Sequence, residues 1–294
     1  MRDDLYFENE ARVKHFERIR IVKKVFVYFF LCLGAIFTLL PFYWMVITSL
    51  KDAEEVTRIP ATFFPMKPTF ANYANVFSGK NSVLLRYIGN TVIVGICTTA
   101  LTVITTVLAA FAFSRLEFKG RDLIFSLLLG TMMIPGEMMI ITNFTTVSTL
   151  GWLDTYQALI IPFSASVFYT FFLRQNFKQI PDELYYAAKV DGNSDFKYLL
   201  KVMIPIAKPS IITIAILSMI GSWNAYIWPR TVSQSRDMKL VTDGLMTLFS
   251  NEVGATSDHL IMAAATVVSI PLLLAFVCFK KYIMRGVSRA GIKG

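Results

Sequence analysis

The chain has 294 residues, 55% of them hydrophobic and 14% aromatic but only 17% charged, and its mean hydropathy of +0.54 lies far above that of water-soluble domains. Six stretches are long enough to cross a hydrocarbon layer, which takes about 20 apolar residues, so an ordinary soluble enzyme is excluded. The net charge of +9 belongs with membrane topology and lipid headgroups, not with nucleic acid.

Residues 1–24 carry charge of both signs and no apolar core. They read as an amphipathic or disordered lead, not a cleaved signal peptide. The apolar stretches then run 25–50, 87–114, 123–148, 155–173, 209–229 and 260–279. In the second, Thr91, Gly95, Thr98, Thr102, Thr105 and Ala109 recur at alternating spacings of four and three, so small residues share one face. Such a face lets helices pack closely in lipid; a hydrophilic pore stripe is the alternative. The third contains Glu137, the one charge within any stretch, just after Pro135-Gly136, where a helix can break and freed backbone can line a cavity.

Between the fourth and fifth stretches, residues 181–209 are charged and helix-forming. Such a segment cannot lie in hydrocarbon, so it sits on one membrane face as a docking element. Pro181 with Asp182 and Glu183 is a helix opening, Leu184, Tyr185 and Ala188 form an apolar stripe, and Asp191-Gly192 is a stop and turn. Ser194 or Asp195 caps a second helix with Phe196, Leu199, Leu200 and Met203 on one side, ended by Pro205 and Pro209. Ala187 and Ala188 leave room for another backbone. Near the outer end of the fifth stretch stand Trp223, Asn224, Tyr226 and Trp228.

Six spans put both termini on one face, and that face receives 21 of the 29 basic residues, so the positive-inside rule makes it cytoplasmic. Cys32, Cys97 and Cys278 lie singly in apolar stretches and support neither disulfides nor a metal cluster. His15 and His259 cannot furnish HExxH or a serine triad, and no GxxxxGK[ST] loop occurs. One lone intramembrane carboxylate is weak equipment for an ion relay.

Residues 181–209 resemble the EAA loop of ATP-binding-cassette import permeases of the carbohydrate-uptake branch, which includes the smaller maltose-type permease. The matching positions are Pro181, Glu183-Leu184, Ala187-Ala188, Val190, Asp191-Gly192 and Pro205, with Pro209 beyond. LLPFYWMVITSLK (39–51), FAFSRLEFKGRD (111–122), LGWLDTYQALIIP (150–162), SMIGSWNAYIWP (218–229) and the closing GVSRAGIKG are similar to branch signatures and stand in their order. The chain departs from the pattern in carrying Tyr185 and Tyr186 where acidic residues usually precede Ala-Ala. A ring and hydroxyl there replace an ion pair to the ATPase cleft, or else lie at the headgroup interface.

The resemblance implies an all-α integral membrane protein of the type I importer permease fold: six transmembrane helices with a cytoplasmic helix-turn-helix coupling loop. Its parts would be the lead (1–24), the permease domain (25–284) containing the EAA loop (181–209), and a cytoplasmic tail (285–294). The chain would be a transport subunit, not an enzyme, in a bacterial or archaeal inner membrane, importing a sugar or oligosaccharide. It would carry no cofactor; ATP and Mg belong to two partner ATPase subunits. A homologous second permease and an extracytoplasmic sugar-binding protein complete the assembly. Coupling would fall to Glu183, Tyr186, Ala187, Ala188, Asp191, Gly192 and Pro205. Substrate-pathway candidates are Glu137, a sugar-facing carboxylate or a neutral or hydrogen-bonded structural one, and Trp223, Asn224 and Tyr226, which hold sugar or form an interfacial aromatic belt. A stand-alone ion-coupled transporter is the main rival, and a membrane-embedded enzyme the second.

Overall fold

In a computed structural model of the chain the backbone is described for residues 2–78, 83–250 and 258–291, and side chains for 20–78, 83–246 and 258–280. Every regular element among them is helical: α1 (Arg2–Ser49), α2 (Ala53–Val56), α3 (Ala71–Val76), α4 (Leu84–Arg115), α5 (Arg121–Thr131), α6 (Ile140–Thr149), α7 (Tyr156–Ile160), α8 (Val167–Lys178), α9 (Asp182–Val190), α10 (Asp195–Tyr198), α11 (Ile204–Trp223), α12 (Ile227–Val232), α13 (Val241–Ser250) and α14 (Asp258–Gly291). Among the described residues four helical stretches are long and apolar enough to cross a membrane, and the number reaches six if each of two bent helix pairs is one span. Four continuous helices and two bent pairs thus stand where the six spans are expected.

The chain divides into two compact units, residues 1–72 with 255–266, and 73–254 with 267–294. In the first, the end of α1 is tied to the loop after it. Asn72 Nδ2 donates to the carbonyls of Ser49 and Lys51 at 2.8 and 2.7 Å. The buried Glu55 carboxylate accepts from the Met66 N–H at 3.0 Å and the Thr62 hydroxyl at 2.6 Å. Residues 2–24, expected as a lead, are helical, and α1 runs unbroken from Arg2 through residue 24 and into the apolar stretch. No Gly or Pro stands before Gly34, so nothing interrupts the backbone ladder. The side chain of His15 and the tail residues 292–294 lie outside the described residues, and the boundary drawn at 284 falls inside α14.

In the second unit α4 packs against α8 and α11. Gly95 lets α11 approach closely, since a Cβ there would stand 2.8 Å from Met219 Sδ. The third span turns by 88° between α5 and the 3-10 turn Gly136–Met139 that leads into α6. Pro135 supplies the break, having no N–H to donate and disfavouring helix at the residue before it. The fourth span bends by 41° between residues 156–163 and α8, and Ser166 caps the second half by accepting from the Tyr169 N–H at 3.3 Å.

The expected end of the second charged helix at Pro205 and Pro209 is also corrected. α10 continues through a π turn, Leu199–Met203, directly into α11. Within that turn the Ile204 N–H reaches back five residues to the Leu199 carbonyl. Pro205 then occupies the first turn of α11, where a missing N–H costs little. At the other end α11 stops at Trp223, short of the expected residue 229, and Trp228 belongs to the separate α12.

Candidate functional site: a clamped elbow and a cavity beside a broken span

Residues 182–203 form the elbow. Gly192 adopts φ +72°, a region open to glycine at no steric cost, and so α9 is closed: the Asn193 N–H donates to the Ala188 carbonyl at 2.9 Å and the Gly192 N–H to Lys189 at 3.0 Å. Ser194, not Asp195, is the cap of the second arm, accepting from the Lys197 N–H at 3.3 Å. Asp195 instead bridges the arms, since its Oδ1 accepts from the Tyr185 hydroxyl at 2.7 Å and pairs with Lys189 at 2.8 Å. Burial, then the bond to Asp195, pushes the Tyr185 hydroxyl above its ordinary pKa. The same carboxylate raises that of Lys189.

The two tyrosines that depart from the family pattern thus divide. Tyr185 packs its ring edge-on against Tyr198 at 5.1 Å inside the elbow, while Tyr186 is exposed. Glu183, Tyr186, Ala187 and Val190 share the outward face of α9, at positions i, i+3, i+4 and i+7, with Asp191 and Gly192 exposed beyond them. Ala188 points the other way, into a core with Tyr198, Leu199, Met203, Leu173 and Phe177. Its small size serves the elbow's own packing. Pro205 is exposed at the foot of α11.

Sequence reading missed the residues that fix the elbow to the spans. Arg115, the last residue of α4, has a side chain only 4% exposed and pairs with Asp182 at the start of α9. It also donates to the carbonyls of Phe177, at 2.8 Å, and Ile180 at the end of α8. Arg174 donates to the Phe113 carbonyl at 2.9 Å, pairs with Asp122 at 3.3 Å and lies 4.0 Å from the centre of the Phe125 ring. The signal was an arginine at each span end, counted only as topology.

Along α4 the small-residue face braces the broken fourth span. Thr102 and Thr105 donate to the carbonyls of Phe163 and Ser164 at 2.9 and 2.7 Å, satisfying the backbone freed by the bend in the fourth span. Beside that bend is a cavity of about 380 Å³. Trp228 lines it and is buried, its Nε1 donating to the Ala158 carbonyl at 2.9 Å. It is a packed side chain, not part of an exposed belt.

The four pathway candidates do not line this cavity. Glu137 is exposed at the bend of the third span, and among the described residues nothing hydrogen-bonds its carboxylate. Trp223 is buried and lines an apolar recess with Pro271 and Leu272. Asn224, the residue closing α11, is exposed, and the Tyr226 hydroxyl accepts from Arg230. At this end of α4 the chain is sealed by Asn90, which donates to the carbonyls of Asp237 and Lys239 at 2.7 and 3.1 Å and accepts from Tyr156 at 2.7 Å.

Up to six spans, two of them broken, and a charged elbow clamped to the ends of α4 and α8 are the parts of a transport permease subunit. Residues 11–289 match the binding-protein-dependent transport system inner membrane component family, and the chain belongs to it. It is 30% identical over 284 residues to the arabinooligosaccharides transport system permease protein AraQ of Bacillus subtilis, covering 96% of this chain and 100% of that one. To the trehalose/maltose transport system permease protein MalG of Thermococcus litoralis it is 32% identical, covering 94% and 99%. Its fold matches a chain of a crystal structure of a bacterial ABC transporter involved in the import of the acidic polysaccharide alginate, with a TM-score of 0.80 at 24% identity over 89% of this chain and 96% of that one.

Proposed function

We propose that the chain is the membrane-spanning subunit of an ATP-driven importer of sugars or oligosaccharides, forming half of the translocation path. ATP would be hydrolysed on two separate ATPase subunits that dock on the outward face of the elbow. A second, homologous permease and an extracytoplasmic sugar-binding protein complete the machine. The elbow face and both termini are cytoplasmic in this reading, in keeping with 21 of 29 basic residues on that side.

The observation that carries the coupling role is the join between elbow and spans. α10 is continuous with α11 through the π turn, and Arg115 holds the start of α9 to the end of α4. A push on the elbow is therefore delivered to two spans at once, as a rigid-body rocking mechanism requires. The substrate class is supported by relatives named for arabinooligosaccharides and for trehalose and maltose.

The test is Val190→Glu. Val190 is 88% exposed on the outward face, so the change leaves the fold intact but sets a charge in the docking surface. The variant subunit should insert normally yet lose its ATPase subunits during affinity purification and lose sugar-stimulated hydrolysis. Undiminished co-purification and stimulation would remove the coupling role from this face. Sugar uptake driven by an ion gradient without any ATPase subunit would favour the stand-alone transporter instead.

A further inference from the structure

We infer that the cavity beside the broken fourth span is a subsite for one uncharged sugar ring, so that this subunit selects neutral carbohydrates over acidic or phosphorylated ones. The inference rests on the importer reading above and names the substrate chemistry of that path.

The cavity's volume, about 380 Å³, lies at the small end of ligand sites, which span roughly 300–1,000 Å³. Broken backbone at membrane depth is tolerated where it lines a cavity, and here the discontinuity is held open by Thr102 and Thr105, which take up the loose carbonyls of Phe163 and Ser164. The wall combines aromatic faces, from Phe163, Tyr169 and Trp228, with hydroxyls from Thr98, Ser166 and Ser222. Rings pack on the apolar faces of a pyranose while hydroxyls read its edge.

Two details narrow the ligand. No acidic or basic side chain is among the lining residues, so a carboxylate or phosphate entering here would lose its hydration without an ionic partner, a large cost. The second is Thr98, whose side chain belongs to a residue only 4% exposed and whose Oγ1 has no hydrogen-bond partner. An unpaired buried hydroxyl is a standing cost, and a sugar hydroxyl in the cavity would relieve it. Ala165, Gly221 and Ala225 keep the remaining wall low.

The test uses the whole importer, this subunit with its partner permease, ATPase and binding protein, reconstituted in proteoliposomes. Uptake is measured for maltose, trehalose and arabinotriose, and for sn-glycerol 3-phosphate and a uronic acid disaccharide. The unaltered complex should take up a neutral probe and reject the charged ones. A Cβ on Gly221 would meet nothing within 4 Å, so Gly221→Leu should extend into the cavity and cut neutral uptake about tenfold while the subunits still assemble. Thr98→Val should raise the transport KM about three- to tenfold while the melting temperature holds or rises, which a merely structural hydroxyl would not produce. Faster uptake of the charged probes, or wild-type kinetics for both Gly221→Leu and Thr98→Val, overturns the subsite and leaves the importer reading standing. ATP-dependent uptake of none of these probes by the unaltered complex would strike the importer reading itself, and the subsite with it.

Discussion

Arg115 offers the sharpest perturbation, because one side chain joins the end of α4 to both the end of α8 and the start of α9. Its guanidinium has three partners: the Asp182 carboxylate and the carbonyls of Phe177 and Ile180. These are unequal. Asp182 is 69% exposed, so solvent screens the ion pair to about 0–1 kcal/mol. The carbonyl bonds are buried, and a hydrogen bond to a charged group is worth about 1.5–3 kcal/mol. Phe177 keeps a second bond, from the Ile180 N–H at 3.2 Å, so its loss is the smaller of the two. Arg115→Gln, which retains one short donor, should therefore cost about 3 kcal/mol, most of it from the carbonyls. Asp182→Asn should cost no more than about 1 kcal/mol.

The assay is paired: thermal stability of the purified complex, and the ratio of ATP hydrolysed to sugar imported in proteoliposomes. Arg115→Gln should lower the first and raise the second, as the elbow moves without carrying α4 with it. Asp182→Asn should leave stability nearly unchanged and shift the ratio slightly. If Asp182→Asn proves as damaging as Arg115→Gln, the weight lies in the ion pair and the burial argument is wrong. If Arg115→Gln keeps a normal transport ratio despite lost stability, the residue braces the fold without transmitting motion.

Three further outcomes are expected. Gly192→Val forces a β-branched residue to φ +72°, at about 1–2 kcal/mol or more, and should reduce ATPase co-purification while membrane insertion persists; normal coupled transport would show that the turn does not set the elbow. Burial pushes the Asp154 carboxyl up, but its bonds from Ser235 and from the Gln234 N–H outweigh that and hold it below its ordinary 3.8. Its contribution is thus whole above pH 3.8 and lost as pH falls through the lowered value; Asp154→Asn, which tolerates the φ of 61°, should melt lower than the parent at pH 6, with the gap closing toward pH 3, and a gap independent of pH would contradict the linkage. The Glu137 carboxylate has no hydrogen-bond partner among the described residues, so neither Glu137→Gln nor Glu137→Ala should destabilise the isolated subunit; a lowered melting temperature for Glu137→Ala alone would make it a fold residue.

The spans were legible because hydrocarbon demands long apolar runs, a signal that survives without any knowledge of neighbours. The turn of the elbow was legible for a local reason too, since Asp191-Gly192 and Ser194 carry turn and cap chemistry within a few residues. Where the outcome depended on distant partners, the sequence was mute or misleading. Pro135-Gly136 announced the break in the third span, and Pro162 stands just before the bend at residues 164–166, but it was read there only as part of a longer signature. That bend is held by Thr102 and Thr105, about 60 residues earlier in the chain, whose hydroxyls supply what the broken ladder lacks. Trp228 stood near an expected span end, where aromatic residues favour the interface, yet it is buried against the Ala158 carbonyl.

Pro205 and Pro209 misled for a related reason. Proline ends a helix when its missing N–H and its ring cannot be accommodated, but a π turn just before Pro205 widens the helix and shifts the donors by one residue. The consequence reaches function. Had the helix ended there, the elbow would hang on a loop, and a displacement of α9 could be absorbed before it reached any span. With α10 carried through into α11, and with the Tyr185–Asp195–Lys189 cluster locking α9 to α10, displacement of the outward face must move α11. That helix carries Ser218, Gly221 and Ser222 into the wall of the cavity. The elbow and the cavity wall are thus joined by one continuous helix, and in the proposed importer a change in elbow position would be passed along it to the space beside the broken span.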